Sequence, residues 1–371
     1  MSTFKVSIEK VVKVDNHPNA DKLDIIQVLG WNLITAKNNF KEGDLCIYFP
    51  IDSILSSLVE IKLFGEGSKI KLSNHRIRTI KLRGAISQGL AAKFDLFKDE
   101  LTGMSLKEGV DLTSKLDIKK YDPPTEITSS VQVKKSTKKS PNTNFKKYTD
   151  IENYKNYTNV FSDNDDVVVT EKIHGSNWRA GKVKTEATTL WKKVLKFLRL
   201  LPKYEFVIGS HNIQLQDKII YKGYYDKNVY SEMIAKYKIK DILKEGYVMY
   251  GEVYGDGIQK GYTYGCDKGE RRLVLFDVMK DGRYLNFDEL KEYCINNNLQ
   301  IVPLLYEGKF NADLIETLKK GQSILNSSQK VREGVVVKSF KEEQCYCGRK
   351  ILKFINDEYL LKNQDNETEA H

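Results

Sequence analysis

The residues best suited to chemistry lie in the second half of the chain. The stretch Glu171 to Asn177, EKIHGSN, follows the apolar run DVVVT. An ammonium at the end of a buried strand is costly to desolvate. Lys172 is therefore either paired or a nucleophile with a lowered pKa. Four further segments also set charges inside apolar runs. YGEVYG carries Glu252, LVLFDVM carries Phe276 and Asp277, REGVVVKS carries Glu333 ahead of Val335, and RKILKFIN carries Arg349, Lys350 and Lys353. Two carboxylates and several cations in buried strands suit a metal–polyphosphate ligand. Carboxylates hold a hydrated metal, lysines neutralise phosphates and an aromatic ring stacks on a base. No GxxxxGK[ST] occurs, which excludes a P-loop NTPase.

The elements that must position these residues read as strands separated by helices. DVVVTEKI, YEFVIGS, YVMYGEVYG, RRLVLFDVM and EGVVVKSF are the strands. TLWKKVLKFLRLL reads as an amphipathic helix, with Leu190, Val194, Leu195 and Leu198 near one stripe and Lys192, Lys193 and Lys196 beside it. NFDELKEYCINNN opens on an Asn/Asp capping signal, and FNADLIETLKKGQSIL is a further helix. Residues 145–371 thus form an α+β domain. Residues 1–122 differ: KVSIEKVVKV, DIIQVLG, WNLITA, GDLCIYFP, RIRTIKLRG and SQGLAA are short apolar runs between turn signals, the pattern of a small all-β barrel. Between them, residues 123–144 are rich in Ser, Thr, Lys and Pro and read as a basic, flexible, exposed linker.

The 371 residues carry a formal net charge of +10 and are 40% hydrophobic, enough for a real core and a polyanionic partner. A Lys/Asn/Ile-rich coding bias is the alternative source of that charge. In RIRTIKLRG, Arg76, Arg78, Lys81 and Arg83 form either a phosphate-contacting stripe or the solvated face of a strand. The five cysteines are scattered, and Cys345 and Cys347 face no second pair, so neither a disulfide framework nor a zinc site is expected. Reduced thiols and the lack of a secretory signal imply an intracellular protein, cytoplasmic or nuclear, rather than a secreted one. No run reaches the ~18 apolar residues of a membrane helix, so no membrane partner is expected.

In order, EKIHGSN, YGEVYG, LVLFDVM, EGVVVK and RKILK resemble motifs I, III, IIIa, IV and V of the covalent nucleotidyltransferases, the ATP-dependent ligases and mRNA capping enzymes. The form KxHGxN is similar to the RNA ligase 2 type. HPNADKLDIIQVLGW, His17 to Trp31, resembles the opening of the OB folds attached to some aminoacyl-tRNA synthetases. With SQGL, this module resembles RNA ligases that carry an N-terminal OB domain and seal nicks ending in a 3′-OH. The resemblance implies an all-β OB barrel followed by an antiparallel-sheet, ATP-grasp-like nucleotidyltransferase domain. It implies ATP as cofactor with AMP carried covalently on Lys172, and Mg²⁺ or Mn²⁺. It implies RNA with 5′-phosphate and 3′-OH ends, in a nicked duplex or an RNA/DNA hybrid, and a monomeric repair enzyme.

The resemblance also implies roles. Lys172 matches the nucleophile. Glu171 and Ile173 flank it and read the adenine. Asn177 contacts the α-phosphate or ribose, and Phe276 stacks on the base. Glu252 and Glu333 match the carboxylates of motifs III and IV, which hold the metal through water, and Lys353 matches the motif V lysine on the α-phosphate. Val335 and Lys350 complete the nucleotide set. The chain departs from the family in three places. His174 replaces the aspartate of KxDG, His211 stands where motif Ia often has an arginine, and Ile351 holds the first motif V lysine position with Lys350 off register by one. Capping enzymes and DNA ligases place an OB domain after motif V, whereas 18 residues follow Lys353 here. A guanylyltransferase or a non-catalytic RNA-binding module is the alternative.

Overall fold

The computed structural model describes residues 4–68, 70, 72–121, 142–187, 190–198, 200–215 and 229–368. Of the expected linker, all but residues 142–144 lies outside the described residues. Two compact units form. Among the described residues, one comprises those up to 121 together with Glu152–Val160 and the segment from Asp357, and the other comprises 142–151 and Phe161–Asn356.

In the first unit, strands β1 (Ser7–Asn16), β2 (Leu23–Val28), β3 (Trp31–Ala36) and β4 (Leu45–Phe49) are followed by a hairpin, β5 (Thr79–Leu82) and β6 (Ala85–Gln88), and by β7 (Leu90–Ala92). The antiparallel sheet runs β3-β2-β1-β4-β7. β1 changes partner midway: Ser7–Lys10 pair with β4 and Val11–Asn16 with β2, with a bulge between Val11 and Lys13. A bulge bends and twists its strand, so one long strand serves both sides of a nearly closed barrel. This is the expected OB architecture. Ile8, Ile47, Phe49 and Phe97 fill one core cluster, and Val11, Ile26, Trp31 and Leu33 fill another.

The HPNADKL segment has a structural task here. His17 Nδ1 accepts the Asn19 backbone N–H at 3.1 Å, which leaves Nε2 to donate to the Leu82 carbonyl at 3.2 Å. Asn19 Nδ2 donates to the Arg83 carbonyl at 3.0 Å. Both bonds secure the β5–β6 turn, where Arg83 and Gly84 have positive φ, the requirement of a two-residue hairpin turn. RIRTIKLRG is therefore not one strand. Pairing starts at Thr79 and turns at Arg83, so period-two alternation does not run through Arg76, Arg78, Lys81 and Arg83. Arg76 is half-buried, donates to Asp52 at 2.8 Å and lies 3.5 Å from the centre of the Tyr121 ring. Arg78 is half-buried, while Lys81 and Arg83 are exposed.

Two further segments join this unit. The Gly30 N–H donates to the Lys155 carbonyl at 2.7 Å, and Trp31 Nε1 donates to Asn156 at 2.6 Å. Gln88 donates to Asp357, the first residue of the helix Asp357–Thr368, at 3.1 Å. Both segments thus belong to the barrel's unit and not, as their place in the sequence suggests, to one domain of 145–371.

The second unit has two antiparallel sheets. Its strands are β8 (Asp166–Lys172), β9 (Ser176–Lys184), β10 (Tyr204–Gly209), β11 (Tyr247–Gly255), β12 (Arg271–Lys280), β13 (Leu304–Lys309), β14 (Gly334–Ser339) and β15 (Ile351–Ile355). One sheet contains β10-β9-β11-β12 and the other β15-β14-β8-β13. Val168, Trp178, Ile208, Met249 and Leu275 pack with Leu290 of the helix Phe287–Asn296. That helix starts as the sequence suggests, with a reciprocal capping box between Asn286 and Glu289, a device worth about 1 kcal/mol. A second cluster joins Phe145, Val248, Tyr250 and Met279 to Ile351 of the other sheet. Beside it, fully buried Asp277 accepts from Arg349 at 2.8 Å and from Tyr148 at 2.9 Å. Arg349 and Asp277 thus belong to the structural core.

Candidate active site

β8 ends on Lys172 in one sheet, and β9 begins at Ser176 in the other. The turn Ile173–Gly175 crosses between them. Register then gathers residues from distant segments. Lys172 pairs opposite Gly334, so Glu333, just ahead of β14, falls beside it. Asn177 pairs opposite Glu252. Lys172 Nζ lies 2.6 Å from Glu333 Oε1, and Glu333 Oε2 is 3.8 Å from His174 Nδ1. Two glycines make this approach possible. A Cβ on Gly175 would run into the Val253 carbonyl and the Glu252 side chain, and one on Gly334 into the Phe354 carbonyl.

Burial and charge set the protonation of this group. Burial alone would lower the Lys172 pKa, but Glu333 and Glu252 outweigh it and hold the ammonium above its usual range. Burial pushes the Glu252 carboxyl up to about 8, with Lys172 opposing and Glu333 reinforcing the shift. The His174 imidazole is lowered by burial, against the pull of Glu333, and is neutral at pH 7. Burial raises Glu171, moderated by Ser323, the Ile324 amide and Arg332. Of the two readings of a buried lysine, pairing is what this structure holds. The charges acting on Lys172 are carboxylates, which favour the ammonium over the neutral amine. A nucleophile at this position must first give up the proton that Glu333 retains.

Three acceptors here are buried without a hydrogen-bond partner among the described residues: Glu171 Oε1, Asn177 Oδ1 and Glu333 Oε2. A buried unsatisfied acceptor costs about 1–3 kcal/mol. Their chemistry suits an exocyclic amine, a ribose hydroxyl and a hydrated divalent cation respectively. Glu171 is oriented for this by its other oxygen, which accepts the Ile324 N–H at 2.8 Å.

The remaining sequence candidates divide. Ile173 is buried. Phe276 is the extra residue of a bulge: Tyr250 pairs with Asp277 and Gly251 with Leu275, leaving Phe276 unopposed. Bulges re-aim side chains, and Phe276 sits half-buried, with its ring centre 4.7 Å from that of Tyr148. Val335 pairs opposite Glu171, whereas Val336 pairs opposite Lys353 and packs in the same cluster as Phe276. Val336 thus lies on the Lys353 face of β14, one residue from the sequence candidate. Lys350 is drawn elsewhere, donating to Asp165 at 2.8 Å and Glu343 at 3.2 Å. His211 bonds Asp150 at 3.1 Å.

Several positioning residues escaped the sequence reading. The Tyr264 hydroxyl accepts the His174 backbone N–H at 2.8 Å, Gln259 donates to the Gly175 carbonyl at 2.9 Å, and the Tyr262 ring meets His174 edge-on at 4.8 Å. The loop after β11 thus clamps the Ile173–Gly175 turn. Buried Arg332 donates to the Leu318 and Gln322 carbonyls at 2.5 and 2.7 Å, holding the segment whose Ile324 amide orients Glu171. Arg179 donates to the Ser210 and Phe145 carbonyls at 2.8 and 2.9 Å. Its one sequence signal was an arginine inside the apolar strand SNWRAGKV.

A family model for an OB-fold domain matches residues 5–94, and one for RNA ligase matches residues 165–355. Among solved structures, an Arg-to-Ala variant of Naegleria gruberi RNA ligase with ATP and Mn is similar at a TM-score of 0.72 and 24% identity, over 97% of this chain and 99% of that one. The same ligase with PPi is similar at 0.73 and 22%, over 98% and 100%. A Lys-to-Met variant with AMP and Mn is similar at 0.73 and 23%, over 97% and 99%. These likenesses establish the fold across both units. No curated protein matches the chain.

Proposed function

The chain belongs to the RNA ligase family, and on that premise we propose that it is ATP-dependent and joins an RNA 5′-phosphate to a 3′-OH through lysyl-AMP on Lys172. The observation that carries this reading is Lys172 held 2.6 Å from Glu333, with Glu252 acting on both, next to three unsatisfied acceptors. The similar Naegleria gruberi ligase has been solved with ATP or AMP and Mn.

In the first step Lys172 Nζ loses a proton, for which Glu333 Oε1 is the acceptor in contact. The amine attacks the α-phosphorus, the bond to the bridging oxygen breaks and pyrophosphate leaves. AMP then passes to the RNA 5′-phosphate and frees the amine. Finally the 3′-OH attacks the activated phosphate, the phosphodiester forms and AMP departs. Glu171 Oε1 accepts the adenine amine, Ile173 and Phe276 bound the base, Asn177 takes the ribose or α-phosphate, and Lys353 neutralises the α-phosphate. Neutral His174 offers a donor that does not repel Lys172. Glu252 and Glu333 would hold Mg²⁺ or Mn²⁺ through water, which when bound supplies charge neutralisation to the phosphates.

The substrate proposed is a nicked RNA duplex or RNA/DNA hybrid, sealed in intracellular RNA repair by a monomer. The barrel tracks its phosphates through Arg78, Lys81 and Arg83. Labelled ATP and labelled GTP with Mn²⁺, read on a denaturing gel, test the proposal. ATP-dependent label is expected. Label from GTP alone would make the protein a capping-type enzyme, and label from neither a binding module.

A further inference from the structure

Between β9 and β10 lies the helix Leu190–Phe197. Trp191, Val194, Leu195 and Leu198 stand at i, i+3, i+4 and i+7, one stripe of a helix that would ordinarily face a core. Here Leu195 is half-buried and the rest of the stripe faces outward. Trp191 is 70% exposed, Val194 41% and Leu198 54%, and Phe197 and Leu200 beside them reach 86% and 68%. Among the described residues, neither of these two core clusters includes a residue of this segment. An eight-residue helix is marginal in water without a surface to bury its apolar face.

Charge identifies that surface. From Ala187 to Tyr204 the sequence carries Lys192, Lys193, Lys196, Arg199 and Lys203 and no acidic residue. We propose that this helix is an interfacial anchor that lies on an anionic phospholipid surface, with its apolar stripe among the acyl chains and its cations at the headgroups. Strong amphipathicity, a basic polar face and Trp and Phe on the apolar one are the properties of such helices, and Trp favours the membrane interface. RNA would engage the lysines and the two rings but offers nothing to Val194, Leu198 and Leu200. Eight residues extend about 12 Å, against the ~30 Å of a hydrocarbon core, so this helix rests on a membrane and does not cross it. The expectation of no membrane partner rested on the lack of a span, which an interfacial helix does not need.

The test uses the full chain and vesicles of phosphatidylcholine alone or mixed with phosphatidylserine. Co-sedimentation with the anionic vesicles should exceed that with neutral ones by roughly tenfold and fall with salt. Trp31 and Trp178 are buried, so a blue shift of emission on binding reports Trp191. Val194→Glu with Leu198→Glu should abolish the excess sedimentation and the shift, while lysyl-AMP formation, unchanged, shows that the unit has folded. No binding by the unchanged chain, or equal binding by the double variant, overturns the proposal. So does a variant that keeps vesicle binding but loses nicked-RNA binding, or one that only converts a dimer to a monomer.

Discussion

Around Lys172 the charged groups are buried and several of their atoms lack a partner, whereas on the barrel's β5–β6 hairpin Lys81 and Arg83 are exposed, and ahead of it Arg76 is already engaged. Glu171, Glu333 and Asn177 each keep a buried acceptor unsatisfied. Lys81 and Arg83 stand in solvent, and Arg76 is taken by Asp52. A desolvated, partly unsatisfied group is tied to one ligand geometry, and its field is little screened. An exposed cation acts through a screened field on any polyanion and is replaceable by its neighbours. The first arrangement suits a defined chemical step, the second the holding of a long substrate.

This contrast predicts a steep gradient of effects. Lys172→Ala should abolish AMP labelling on the gel while leaving sealing of pre-adenylated RNA at least partly active, because the later steps do not need the adduct. A variant that still labels would place the nucleophile elsewhere. Glu333→Gln keeps shape and removes charge, so adenylation should fall about 10²–10³-fold with little change in the thermal melt. Loss of activity that merely tracks a collapsed melt would assign Glu333 to the fold. Tyr264→Phe removes the hydroxyl on the His174 amide. One such bond is worth about 1 kcal/mol, so adenylation should slow only about fivefold, while salt dependence of RNA binding stays as it was. Smallest on adenylation is the barrel variant Arg78→Ala with Lys81→Ala and Arg83→Ala. Lysyl-AMP should form normally, and the log–log salt slope of nicked-duplex binding should flatten by up to about 0.9 per lost contact on the duplex-DNA scale. Arg76 is left in place because its removal would strand Asp52. An unchanged slope would break the comparison and leave the hairpin cations without a substrate role.

Much of the candidate site is legible in the sequence because each motif strand carries a local contradiction, a charge or a glycine inside an apolar run. Lys172, Glu252 and Glu333 stood out for that reason. The positioning residues did not. Tyr264 and Gln259 each act through one hydrogen bond to a backbone atom 90 and 84 residues away, and Arg332 through two to carbonyls 14 and 10 residues away, and such bonds leave no periodic trace. Val335 lies opposite Glu171 and Val336 opposite Lys353, because neighbouring residues in a strand point to opposite faces.

The sequence by itself determined the two-part order of the chain, most of its strands and the identity of the charged residues set into them, because apolar periodicity and turn chemistry are local. Tertiary structure alone decided which charge answers which. Pairing of β8 with β14, strands more than 160 residues apart, sets Glu333 against Lys172. A bulge in β12 turns out Phe276, and contacts of Asp357 with Gln88 and Lys155 join the C-terminal helix to the barrel's unit. Strand register and bulges depend on the packing of both faces at once, and no single segment contains that information.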